Sequence, residues 1–188
     1  IDYSSINKNS TAYEVLTNLS STKNNIILDF NYTASTRLIL KQCGLSDEDI
    51  DNRLIKVHGE ASNNDIIFGV EDNAGIKKEH VFLRKAYNIK YKALNFSELY
   101  DRIKSVAIFG HSLGETDHTY FNKLFQESCM YNKFSTNNNK EFWLFYYKEN
   151  GYHCMMQQLD SLTHNSLTSF RQYNRVNFIN TDKEKVFI

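Results

Sequence analysis

The sequence predicts an α/β fold, three layers thick with a mostly parallel sheet, and three observations predict it. Short apolar runs alternate with stretches of helical periodicity, as in a sheet wound with crossover helices. The apolar runs carry little polar alternation, so their strands are expected to be covered on both faces. With 188 residues, 41% hydrophobic and 14% aromatic, the chain is long enough for one good core and short for two. Residues 1–188 therefore read as a single domain.

The clearest strands are expected at Ile26–Phe30 (IILDF), Leu54–His58 (LIKVH), Val106–Phe109 (VAIF) and Phe142–Tyr146 (FWLFY). Ile66–Phe68 and Val176–Ile179 are shorter candidates. Between them, Thr33–Cys43 puts Leu38 and Ile39 on one helical face, and Gly44 follows as a C-terminal cap should. Tyr120, Phe121, Leu124 and Phe125 recur at helical spacing behind Thr116 and Asp117, either of which can cap free N–H groups. A long helix is expected from about Tyr152 to Tyr173, with a break near Thr163–Ser166. Residues Asn132–Lys140 form the one loop long enough to suggest an insertion, and Glu71-Asp72-Asn73 reads as a turn.

Composition narrows the function classes. Lys plus Arg and Asp plus Glu number 22 each, so no global charge points to a polyanionic partner or an anionic membrane. The three cysteines, Cys43, Cys129 and Cys154, are scattered and odd in number, which suits free thiols in a reducing compartment and supplies no zinc set. No charged-then-apolar leader opens the chain, and no apolar run nears the roughly 18 residues of a membrane span. A cytoplasmic location and no membrane partner are the expectation. His111, Asp117 and His118 match no familiar metal spacing, so no metal is expected. A homo-oligomer is compatible with this composition.

Open parallel sheets bind ligands at the carboxyl ends of their strands, which makes the residues after each strand the first place to look. Asn31-Tyr32-Thr33 follows the first strand, His58-Gly59-Glu60 the second, and Gly110-His111-Ser112 the VAIF strand. Three polar tripeptides are thus expected on one sheet edge.

Gly110-His111-Ser112-Leu113-Gly114 also fits the GxSxG pattern of a nucleophile elbow, and His58-Gly59 could contribute part of an oxyanion hole. An elbow, however, starts its helix at the nucleophile. Here Gly114-Glu115-Thr116-Asp117 intervenes, and the choices for completing a triad downstream are poor: Asp160 and His164 lie four apart on one expected helix, and no histidine follows Asp182. A serine hydrolase built on Ser112 is the alternative. A second alternative, a nucleic-acid or protein interaction module, rests on Lys77, Lys78, Arg84, Lys85, Lys90 and Lys92 with Tyr87 and Tyr91 interleaved.

Taken together, LDFNYT, VHGE, IIFGVED and IFGHSLGETDHTYF resemble the AbiH family of phage abortive-infection proteins. The resemblance runs from Ile26 to about Phe125 and is most specific in the last segment. Members usually begin with a strand and an NGFD-type turn; neither stands in this sequence, so that N-terminal part is expected to be missing. The resemblance implies a role in phage defence with an unknown phage-derived trigger.

At a greater distance the family is similar to sirtuin-like NAD-binding enzymes, which implies a Rossmann-like fold and NAD or a related nucleotide as ligand. Carried over, Asn31 matches an asparagine on the ribose side, and His58, with Gly59, matches the catalytic base of an HG pair. Gly110, Ser112 and Leu113 match the nucleotide-binding turn, with His111 and Asp117 alongside as further ligand contacts. Thr33 stands where those enzymes often carry aspartate, and their zinc module has no counterpart here, so deacetylation is not implied. What is implied is nucleotide binding, with NAD glycohydrolase-type cleavage as the reaction that such a site could carry. Cleavage passes through an oxocarbenium-like ribose that water can trap, and a neutral histidine can take the proton.

Overall fold

The computed structural model describes residues 7–22, 24–70, 74–87, 102–130 and 139–182. The chain divides into two compact units, Ile1–Tyr91 with Lys185–Ile188, and Lys92–Glu184. Both are mixed α/β with parallel strand pairing, the class expected from the sequence.

The first unit opens with α1 (Thr11–Ser21), where Ser10 accepts a hydrogen bond from the Tyr13 N–H at 3.2 Å. Then come β1 (Ile27–Asp29), α2 (Ser35–Gln42), α3 (Asp47–Arg53) and β2 (Leu54–Lys56). Neither α1 nor α3 was expected. Yet α3 carries a clear start signal: Ser46 caps the Asp49 N–H at 3.1 Å, and Asp47, Glu48 and Asp49 crowd the first turn, where the helix dipole favours anions. Strands β1 and β2 pair in parallel, with Ile27 opposite Leu54 and Asp29 opposite Lys56. Their support is a cluster of Leu40, Ile50 and Leu54, joined by Leu16, Ile27 and Leu45.

Ile66–Phe68 does not form the expected strand. Its one ladder-like bond runs from the Ile67 N–H to the His58 carbonyl at 2.9 Å, and Phe68 is exposed, so the segment lacks a partner strand among the described residues. The turn expected at Glu71-Asp72-Asn73 lies outside the described residues, as do positions 132–138 of the expected Asn132–Lys140 loop.

The second unit contains β3 (Ser105–Ile108), α4 (His118–Ser128), β4 (Glu141–Tyr146), α5 (Lys148–Leu162), α6 (Leu167–Tyr173) and β5 (Arg175–Asn180). The long helix starts earlier than expected, at Lys148, and breaks at Thr163–Ser166, where His164 and Asn165 adopt φ of +51° and +59°. Its three strands pair in parallel in the order β3-β4-β5. Both faces of β4 are covered, as an unbroken apolar run requires: Phe142, Leu144 and Phe145 are all buried.

Aromatic packing holds this unit together. Phe142 on β4 meets Phe170 of α6 edge-on at 4.8 Å and stacks on Phe125 of α4 at 5.5 Å, all three rings fully buried. Phe142→Ala is expected to lower the unfolding free energy by about 3–5 kcal/mol, measured by urea denaturation. A loss below about 1 kcal/mol would place the core elsewhere.

The described strands therefore form two sheets, β1-β2 and β3-β4-β5. The tripeptides after β1 and β2 share one edge, while Gly110-His111-Ser112 follows a strand of the other sheet. The three tripeptides therefore follow strands of two separate ladders, whereas one edge for all three requires every parallel strand to join one ladder.

Candidate functional site

At the end of the β1-β2 pair the sequence places charges inside apolar strands, and the register makes them meet. Lys56 Nζ donates to Asp29 Oδ2 at 2.9 Å, to the Thr33 carbonyl at 2.7 Å and to the Asn31 carbonyl, with Glu60 Oε2 at 4.0 Å. The other oxygen of Asp29 accepts from Asn31 twice, from the backbone N–H at 2.9 Å and from Nδ2 at 3.2 Å. Asp29 is nearly inaccessible, its side chain 3% exposed against 16% for Lys56. A buried carboxylate is tolerated only when paired and hydrogen-bonded, and this one is both.

The consequence is a fixed Asn31-Tyr32-Thr33 turn. One ammonium holds the carbonyls at its two ends, and the Tyr32 carbonyl between them accepts the Ala61 N–H at 2.8 Å. Asn31 itself is exposed, and its Nδ2 is held by Asp29. Asp29 and Lys56 were not among the expected site residues. Their signal is legible afterwards: a lone acid in IILDF and a lone base in LIKVH, at equivalent strand positions.

His58 follows β2 and is buried at 5% exposure. Phe30 meets its ring edge-on at 5.5 Å, and Tyr32 lies tilted over it at 6.0 Å, with Phe68 against Tyr32 at 5.5 Å. The imidazole therefore sits in an aromatic surround beside the Asn31 turn. Gly59 next to it has φ +74°, and a Cβ there would fall 2.1 Å from the Asp65 carbonyl oxygen. Only glycine permits that approach.

In the second unit the Gly110–Gly114 turn is organised around its histidines. His111 Nδ1 accepts the Leu113 N–H at 2.9 Å, so that nitrogen is unprotonated, and Nε2 faces Asp117 Oδ2 at 3.3 Å. His118 Nε2 is 3.0 Å from the Leu113 carbonyl and 2.9 Å from Gln158 Oε1; both are acceptors, so it carries a proton there. Leu113 is fully buried and has φ +54°, a left-handed conformation that costs a branched residue about 1–2 kcal/mol. Burial of its side chain and these two histidine bonds hold it there. Gly110 also has positive φ, +64°, with nothing near its Cβ position.

Asp117 occupies the N-cap position of α4, yet its side chain makes no capping bond. Its carboxylate faces His111 instead, and a 3-10 turn, Glu115–Asp117, leads into the helix. Ser112 is exposed, six residues ahead of α4, and its hydroxyl makes no hydrogen bond to a described residue. With both ring nitrogens of His111 engaged by Leu113 and Asp117, the adjacent imidazole does not serve Ser112 as a base.

The basic stretch is less uniform than its sequence. Lys85 is buried, Phe82 and Tyr87 are exposed, and Lys90, Tyr91 and Lys92 lie outside the described residues. No group of three His, Cys, Asp or Glu side chains is arranged to hold a metal among the described residues, and none of their helices is long and apolar enough to cross a membrane.

The sequence matches the model of the family described as Bacteriophage abortive infection AbiH over residues 2–145. No curated protein and no solved structure matches it. The chain belongs to the AbiH family, and its role is in phage abortive infection.

Proposed function

We propose that this AbiH-family protein acts in abortive infection by binding NAD or a related nucleotide and cleaving its bond to nicotinamide, so that the infected cell dies or becomes dormant. The observation that carries the reading is the β1-β2 edge, where His58 is walled by Phe30 and Tyr32 beside an Asn31 turn held by Lys56 and Asp29. A fixed turn presenting a carboxamide can orient a water or a ribose hydroxyl, and an adjacent imidazole can take a proton.

In this reading water attacks C1′ of the nicotinamide-bearing ribose. The C–N bond breaks with its electron pair passing to the pyridinium nitrogen, which leaves neutral nicotinamide, and the proton of the water goes to His58.

The test is to incubate the full chain with NAD and follow free nicotinamide. Wild type is expected to release it, and Asn31→Ala and His58→Ala are each expected to lower the rate by about 100-fold or more with the fold retained by circular dichroism. No release by wild type, or release by both variants at the wild-type rate, overturns the assignment.

A further inference from the structure

We infer that the carboxyl edge of the β3-β4-β5 sheet holds a binding site for a neutral ligand that presents a vicinal diol beside an apolar ring face, the chemistry of a ribonucleoside or a free sugar. This site is independent of any reaction at His58.

A cavity of about 400 Å³ opens at that edge, lined among the described residues by Tyr146, Lys148, Glu149, Tyr152, Asn180 and Asp182. Tyr146 ends β4, Asn180 ends β5, and Lys148, Glu149 and Tyr152 belong to the first turns of α5. Parallel sheets take ligands at this edge, and the volume is that of a small-molecule site. Its floor is tied: Thr181 donates to the Tyr146 carbonyl from its N–H at 2.9 Å and from its hydroxyl at 3.1 Å.

The lining selects the ligand. Asn180 is nine-tenths buried; its Oδ1 accepts the Asp182 N–H at 3.0 Å, while its Nδ2 donates to no described residue. A donor held at a cavity wall without a protein acceptor suits a hydroxyl oxygen. Glu149 and Asp182 are acceptors when ionised and suit hydroxyl donors, two of which a vicinal diol offers. Tyr152 is braced against Tyr146 at 5.2 Å and Phe178 at 5.5 Å, which makes it a rigid apolar wall for a ring face.

Charge argues against an anion. Two carboxylates face one ammonium in the lining, and Lys148 Nζ is itself engaged, 4.8 Å from the centroid of the Tyr147 ring. Its hydrogen bond and charge interaction with Tyr147, and then Asp182, hold that ammonium above its ordinary range. Phosphate or carboxylate ligands would meet net negative charge here.

The test is an amide-shift titration of the isotopically labelled full chain with adenosine, with 2′,3′-dideoxyadenosine and with glucose. Saturable shifts at Glu149, Tyr152 and Asp182 are expected with adenosine, with glucose or with both, and dideoxyadenosine is expected to bind about tenfold more weakly than adenosine or not at all. Saturation by adenosine alone assigns a ribonucleoside, by glucose alone a free sugar, and by both the diol itself. Asp182→Asn and Glu149→Gln, both at exposed positions, are expected to weaken binding by about tenfold without moving the urea midpoint. No saturation by either diol, dideoxyadenosine binding as well as adenosine, or undiminished binding in both variants overturns the proposal. Because the readout is binding in the second unit, it stands or falls separately from nicotinamide release.

Discussion

Lys56→Met is expected to lower the unfolding free energy by about 3–5 kcal/mol, because it leaves the Asp29 carboxylate buried with Asn31 as its remaining side-chain partner among the described residues and frees the carbonyls of Asn31 and Thr33. The methionine fills much of the same volume, so the loss reports charge pairing and not a cavity. Urea denaturation of the full chain measures it, with exchange of the Val57 amide, which donates to the Asp29 carbonyl at 3.0 Å, reporting the first unit separately. Asp29→Asn in the same chain removes the stranded charge, so the double variant is expected to recover part of the loss. A double variant that loses the full sum of the two single changes would mean that the pair is not coupled.

Gly59→Ala is the second large effect. The left-handed backbone alone costs about 1–2 kcal/mol for any residue with a Cβ, and here the methyl would also fall 2.1 Å from Asp65 O and 2.7 Å from its carbonyl carbon. Backbone must move to relieve that contact, so a loss of about 3 kcal/mol or more is expected. Gly110→Ala supplies the internal control. It has the same sign of φ, +64°, but open space around the Cβ, so only the conformational cost of about 1–2 kcal/mol is expected. Equal losses at the two positions would show that the approach of Asp65 is not what requires glycine at 59. The Gly59 change also moves the neighbouring His58, so nicotinamide release should fall further for Gly59→Ala than for Gly110→Ala.

Much of the local structure was legible. The four main strands and the short fifth candidate at Val176–Ile179 fall within one or two residues of β1 to β5, because unbroken apolar runs bounded by polar residues have few other uses. The break at Thr163–Ser166 was legible too, from polar residues interrupting an apolar face. Helix α3 was not anticipated because it is largely polar, with Ile50 as its one apolar residue; α1 was legible, with Ala12, Val15, Leu16 and Leu19 at helical spacing, and Ser10 and Ser46 were available as caps. Ile66–Phe68 shows the opposite error. A short apolar run needs a partner strand to become one, and a propensity cannot provide it.

The candidate site divides along the same line. His58 and Gly59 could be picked out as an HG pair after a strand, and Asn31 as a carboxamide in a turn, because those residue types have local roles. Asp29 and Lys56 could not, because neither is interpretable alone; each becomes meaningful when a register sets them opposite one another. The assignment of Asp117 as a side-chain cap missed for a related reason, since its position is that of a cap but His111 competes for its carboxylate.

By itself, then, the amino-acid sequence determined the α/β class, the parallel character of its strands, the glycine-bounded turn at 110–114 and the membership of the AbiH family. Tertiary structure alone decided that the described strands pair as two sheets, that Lys56 and the buried Asp29 fix the Asn31 turn, and that both histidines of the GHSLGETDH segment brace Leu113. The physical reason is range. Periodicity, capping and turn preference act within a few residues and are written locally, whereas strand register and ion pairing depend on groups 25 or more positions apart, as Lys56 and Asn31 are.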